Sequence, residues 1–116
     1  MTPEGIIKLA ICQYLVTRKD IIRLFWVTSS VGIYDATRGC YRKSNSAYQI
    51  NGVSDILGIL NGGRFLAIEV KSKRGVLTIE QKIFLEEINH AGGIAFMAKS
   101  VDDVISQLPK SSVKLV

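Results

Sequence analysis

Asp55, Glu69 and Lys71 are the residues of this chain whose types and spacing could do chemistry. Gly52-Val53-Ser54-Asp55 leads into one apolar run, and Ala67-Ile68-Glu69-Val70-Lys71 closes a second; Asn61-Gly62-Gly63 separates them. As two strands about a tight turn centred on Gly62, residues whose numbers sum to 124 face each other, so Leu60 meets Arg64 and Asp55 meets Glu69. Directly opposed residues of an antiparallel pair share a face, with side chains roughly 5 Å apart. Lys71, two residues past Glu69, shares that face. Two carboxylates this close repel unless a cation sits between them, and hard oxygen donors beside open coordination positions suit Mg2+ or Mn2+. The competing reading is a solvated strand end with an ion pair, which Glu-x-Lys alone would favour. The glycine turn before Asp55, its mirror position to Glu69 and the apolar strands around both acids favour the metal site, because charges in such strands need a reason.

The elements that must position these groups follow from periodicity and caps. Residues 4 to 18 read as a helix on Ile6, Ile7, Leu9, Ala10, Leu15 and Val16, with Thr2-Pro3-Glu4 as cap, first-turn proline and first-turn acid. Residues 21–29 are β-branched and aromatic and predict a strand. From Ser30 to Asn51 the chain is polar, with Tyr34, Tyr41 and Tyr48 among cations, and predicts a long functional loop holding a short hairpin. The paired strands run over 53–60 and 64–71. Leu57, Ile59, Phe65 and Ala67 fall on one face and Ile56, Leu60, Leu66, Ile68 and Val70 on the other, so helices must cover both. Thr78 caps a helix to His90 with Ile83, Phe84, Leu85 and Ile88 inward, and Gly92-Gly93 ends it. A buried strand over 94–98 and a last helix from Ser100 to Leu108, stopped by Pro109, complete the order; the tail from Lys110 is expected to be mobile.

Composition narrows the class. The length of 116 residues suits one domain with one core, and no apolar run approaches the roughly 20 residues needed to span a bilayer, so no membrane is expected. Met1-Thr2-Pro3-Glu4-Gly5 does not read as a secretion signal, and Cys12 and Cys40 are expected to be reduced cytosolic thiols. A net charge of +5 favours a polyanionic partner. Gly62-Gly63 lacks the lysine and hydroxyl residue of a phosphate-cradling loop, no histidine base accompanies a serine or cysteine, and His90 is structural at a helix C-terminus.

The order helix, three strands, helix, strand, with Asp and Glu-x-Lys on adjacent strands, resembles the PD-(D/E)XK nuclease superfamily and, more narrowly, a stand-alone VRR-NUC domain. Glu4, Gly52-Val53-Ser54-Asp55, Phe65-Leu66-Ala67-Ile68-Glu69-Val70-Lys71, Gly75-Val76-Leu77-Thr78-Ile79-Glu80-Gln81 and Gly92-Gly93-Ile94-Ala95 carry the resemblance, which covers nearly the whole chain. Ser54 stands where the superfamily's name has proline. The resemblance implies an α/β fold with a restriction-endonuclease-like αβββαβ core, a mixed sheet flanked by helices on both faces, in one domain over 1–116. It implies a divalent-metal phosphodiesterase acting on structured DNA; the small stand-alone forms look like homodimeric Holliday-junction resolvases.

On that resemblance, Asp55 and Glu69 hold the metal, the Val70 carbonyl is a third ligand, Lys71 orients or deprotonates the attacking water, and Gln81 orients Lys71 or the water. Glu4 reaches the site from the first helix and binds the metal directly or through water, although an acid in a first helical turn is favourable to the helix dipole in any case. Arg38, Arg42, Lys43, Lys73 and Arg74 mix with aromatics or follow the site, which suits phosphate contacts. Ile21, Ile22, Leu24, Phe25 and Trp26 give the first strand more apolar surface than a helix layer must cover, and with Tyr34 and Tyr41 predict a homodimer interface. The expected partners are therefore branched double-stranded DNA and a second copy of the chain. The alternatives are a flap nuclease or exonuclease, or a nucleic-acid-binding module with weak or no catalysis.

Overall fold

The computed structural model describes residues 1–28, 33–42 and 47–110. The chain runs α1 (Pro3–Leu15), β1 (Ile22–Val27), β2 (Ile33–Asp35), β3 (Cys40–Arg42), β4 (Ile56–Leu60), β5 (Phe65–Val70), α2 (Ile79–His90), β6 (Ile94–Ala98) and α3 (Val101–Gln107). Each helix starts where a side chain can accept an orphan backbone N–H. Thr2 takes Gly5 N, with Pro3 in the first turn; Ser100 takes Asp103 N; Thr78 and Gln81 form a reciprocal capping box. The polar stretch after β1 does contain a hairpin, β2 and β3, joined through a turn at Gly39. The expected mobile tail and Lys43 lie outside the described residues, Lys110 excepted.

Four strands form one mixed sheet in the order β1-β4-β5-β6, antiparallel except for the parallel β5–β6 pair. The β4–β5 register pairs Ile56 with Ile68, Leu57 with Ala67 and Ile59 with Phe65, as the turn arithmetic requires. The strands are shorter than 53–60 and 64–71, so Asp55 and Lys71 stand immediately outside them. The cause at the first end is Gly52, whose positive φ of 78° turns the chain against the start of α2.

The two sheet faces carry separate cores. Ile56, Leu60, Leu66, Ile68 and Val70 pack with Ile11 and Leu15 of α1 and with Val104 and Leu108 of the α3 end. On the opposite face Ala67 and Ala95 pack with Leu85, flanked by Leu57, Phe65, Phe84 and Ile88. Helices thus cover both faces of an α/β sheet, consistent with a restriction-endonuclease-like core.

Three expectations about packing are corrected. α1 stops at Leu15 rather than 18, because Thr17 N and Arg18 N close tight turns on Tyr14 O and Leu15 O before Arg18 pairs with Asp20. Its buried face is built on Ile11 and Leu15, while Ile6, Leu9 and Val16 are exposed. Ile83 of α2 is 52% exposed, since α2 lies over β5 and β6 and turns that residue outward. The β1 end of the same face has a thinner cover: Leu24 and Trp26 are 50% and 40% exposed, whereas Ile21 and Ile22 are buried in the core on the α1 side. Trp26 meets Phe65 edge to face with ring centroids 6.4 Å apart.

Candidate metal centre

Asp55 is placed by its neighbours on both sides. Beyond the end of β1, Thr28 N donates to Asp55 O at 2.9 Å and Thr28 Oγ1 donates to Ser54 O at 2.7 Å, which extends the β1–β4 ladder to the residue that matters. The Asp55 carboxylate reaches across the other way, its Oδ2 accepting Val70 N at 2.9 Å. The backbone of β1 and the backbone of β5 therefore both hold this acid.

Glu69 is 3% exposed in the penultimate position of β5. Its Oε1 accepts Gln81 Nε2 at 2.8 Å; its Oε2 is buried with no hydrogen-bond partner. Burial, then the facing Asp55 carboxylate, push the Glu69 carboxyl up to about 7, and Lys71 opposes them without cancelling them. Gln81 is doubly engaged: its Oε1 accepts Thr78 N at 2.9 Å while its amide nitrogen holds Glu69. The capping box thus fixes the amide with its donor end on the Glu69 carboxylate. That position depends on Gly52, where a Cβ would lie 2.6 Å from Gln81 N.

Lys71 follows β5 directly, half-buried, its N–H continuing the ladder to Ala98 O at 3.0 Å. The returning chain passes over its stem at Gly75, where a Cβ would stand 3.1 Å from Lys71 Cβ. Glu4 lines a cleft of about 290 Å3 together with Asp55, Val70 and Lys8. Among the described residues, no three His, Cys, Asp or Glu side chains cluster as a metal-binding group, so Glu4 shares the cleft without completing a triad of protein donors.

The donor set fits a hard divalent cation. Two carboxylates face each other, one with a buried oxygen that nothing satisfies, and a shared cation removes both the repulsion and the orphan. Two acids leave most of an octahedral shell to water and substrate, which is how Mg2+ is usually held. A buried Glu69 facing the half-buried Asp55 has no comparable structural use, since an apolar residue in its place would be cheaper to bury.

Of the cations expected to touch DNA, Lys73 and Arg74 form an exposed turn closed by Gly75 N to Ser72 O at 2.9 Å, immediately after Lys71. Arg38 sits in the exposed turn of the hairpin and Arg42 at the end of β3, opposite Ile33. The hairpin forms its own two-stranded sheet, separate from the one that carries the centre. Sequence reasoning missed Thr28, whose hydroxyl is unremarkable until β1 and β4 are paired. It also missed Lys8, for which a signal existed: Lys8 lies four residues from Glu4 and hence on the same helix face.

Among known families, the model of the VRR-NUC domain fits residues 36–102, more than half of the chain, a span that begins after β2 and takes in β3, both acids, Lys71 and Gln81. No curated protein and no solved structure matches the chain.

Proposed function

The chain belongs to the VRR-NUC domain family and is thereby a nuclease of the PD-(D/E)XK type; on that premise we propose that it is a structure-selective endodeoxyribonuclease dependent on Mg2+ or Mn2+, resolving Holliday junctions. The observation that carries the metal dependence is the buried, unpartnered Glu69 Oε2 facing the Asp55 carboxylate.

When bound, the cation neutralises charge on the phosphoryl oxygen and lowers the pKa of a water. Asp55 and Glu69 would hold it, with the carbonyl of Val70, a residue that lines the cleft, as the third protein donor. Val70 N holds Asp55 and Gln81 holds Glu69, so neither carboxylate has to be oriented at the moment of reaction. Lys71 puts a positive charge beside the scissile phosphate and orients the attacking water; Glu4 contributes from the opposite wall through water. Arg38, Arg42, Lys43, Lys73 and Arg74 bind backbone phosphates. Charge reversal at Arg42 and Lys43 weakens affinity for every DNA alike and lowers its salt dependence, measured as the slope of binding against salt.

Junction resolution requires two incisions related by two-fold symmetry, and one protomer has one centre. The partner is a second copy docked on the edge strand β1, where Leu24, Trp26 and Val27 are exposed. Sedimentation equilibrium at micromolar concentration is expected to give a dimer; a monomer, free and on junction DNA, would leave a flap or exonuclease activity as the better reading. The deciding experiment is cleavage of a panel of four-way junctions, flaps, nicked and linear duplexes with Mg2+, with Mn2+ and with EDTA. Paired symmetric nicks in junctions, lost in EDTA, are expected; equal cutting in EDTA would overturn the metal dependence.

A further inference from the structure

We infer that Lys8 is a phosphate anchor on the α1 wall of the metal cleft, binding the phosphodiester adjacent to the one that is cut. This rests on the nuclease reading and specifies the strand path through that same site.

Among the described residues, Lys8 is the one cation lining the cleft of about 290 Å3 that Asp55, Val70 and Glu4 also line. The other cation of the centre, Lys71, follows the end of β5, whereas Lys8 belongs to α1, so the two cations come from different elements. Lys8 is half-buried, its charge close enough to Cys12 to oppose the upward push that burial gives that thiol. Glu4 lies one helical turn away and Asp55 across the cleft, yet Lys8 forms a salt bridge with neither; among the described residues the ion pair is Arg18–Asp20.

A cation held beside acids but paired to none of them is positioned for an anion that arrives from outside. The polymer substrate makes such a charge necessary. One divalent cation offsets the scissile phosphate, but each flanking phosphate also enters a cleft whose walls carry Glu4 and Asp55. Lys8 supplies the compensating charge on the wall that Lys71 does not reach. Lysine binds phosphate as a point charge, so arginine can replace it there and an apolar residue cannot.

The test compares Lys8→Met, which keeps an apolar stem of similar length against the helix, with Lys8→Arg. Binding of a four-way junction and a linear duplex is titrated against salt in the uncut Glu69→Gln background, and steady-state cleavage is measured with Glu69 intact. For Lys8→Met we expect affinity to fall roughly fivefold to tenfold at 0.1 M salt on both DNAs and the salt slope to shrink by about one. KM rises more than kcat falls, Tm is unchanged, and Lys8→Arg restores binding. Wild-type binding and salt slope in a folded Lys8→Met would overturn the anchor while the parent still cuts DNA. A parent that neither binds nor cuts any DNA with Mg2+ or Mn2+ would overturn the nuclease reading and the anchor with it.

Discussion

The β4–β5 pair opens onto a cleft at each end, and the two are nearly the same size. At the turn end, Gly62, Gly63, Gly92, Gly93 and Arg64 line about 320 Å3; at the other, Asp55, Val70, Glu4 and Lys8 line about 290 Å3. Among the described residues, the turn end holds no buried side-chain nitrogen or oxygen without a partner. Arg64 Nε donates to Gly92 O at 2.9 Å, Gly63 N to Leu60 O at 2.9 Å, and Asn61 Nδ2 to Asp20 O at 2.9 Å. The acid end holds two buried polar atoms without partners, Glu69 Oε2 and Ser54 Oγ. Volume therefore does not distinguish a site from a crevice here. What distinguishes them is unsatisfied charge held in place by groups that are themselves satisfied.

Substitution at the two ends should differ most in turnover. Asp55→Asn, Glu69→Gln and Lys71→Ala are each expected to cut kcat at least about a hundredfold, the scale of losing one electrostatic group at a reacting centre. Arg64→Ala should stay within about twofold, as surface changes away from a site do. Near-normal cutting by purified Lys71→Ala would remove the lysine from the mechanism.

Stability against pH separates the ends next. The Glu69 carboxyl moves from 4.5 in the unfolded chain to about 7 in the fold, so between these values the folded state binds more protons. Metal-free stability accordingly falls as pH rises through that window, by up to about 3 kcal/mol. Glu69→Gln should abolish the fall and melt higher than the parent at pH 8 without metal. A divalent cation must displace the proton, so its affinity should climb across the same window and its binding release protons, measurable by calorimetry in two buffers.

Two glycines give a smaller contrast. A methyl at Gly52 would stand 2.5 Å from Glu80 O, whereas one at Gly62 meets nothing within 4 Å; both have positive φ. Gly62→Ala should cost about 1 kcal/mol of backbone strain in urea unfolding. Gly52→Ala should cost about 2 kcal/mol more and slow cleavage as well, because α2 must shift and carries Gln81 away from Glu69. Equal costs would mean that α2 yields without loss.

The face-to-face placement of Asp55 and Glu69 was legible because a three-residue glycine turn leaves one register, and register alone decides which side chains meet. Caps at Thr2, Thr78 and Ser100 were legible because they are local. The rest depends on where helices land. Ile83 looked inward by periodicity, and only the position of α2 over β5 and β6 exposes it. Gln81 could be placed near the site, but its partner follows from the capping box and the approach at Gly52. Lys8 entered the cleft because α1 begins beside the sheet end, a contact some 47 residues away in sequence from Asp55.

The shortest-range pairing in the sheet is also the one that builds the centre. Closing β4 on β5 over Asn61-Gly62-Gly63 loses little chain entropy, whereas β1 must find β4 across the polar segment and β6 must wait for α2. Both acids thus flank the pairing that costs the sheet least chain entropy to close. The same economy makes activity a strict reporter of folding fidelity. A ladder misaligned by one residue would still bury apolar side chains on both faces, since both are apolar, but it would send Asp55 and Glu69 to opposite sides of the sheet.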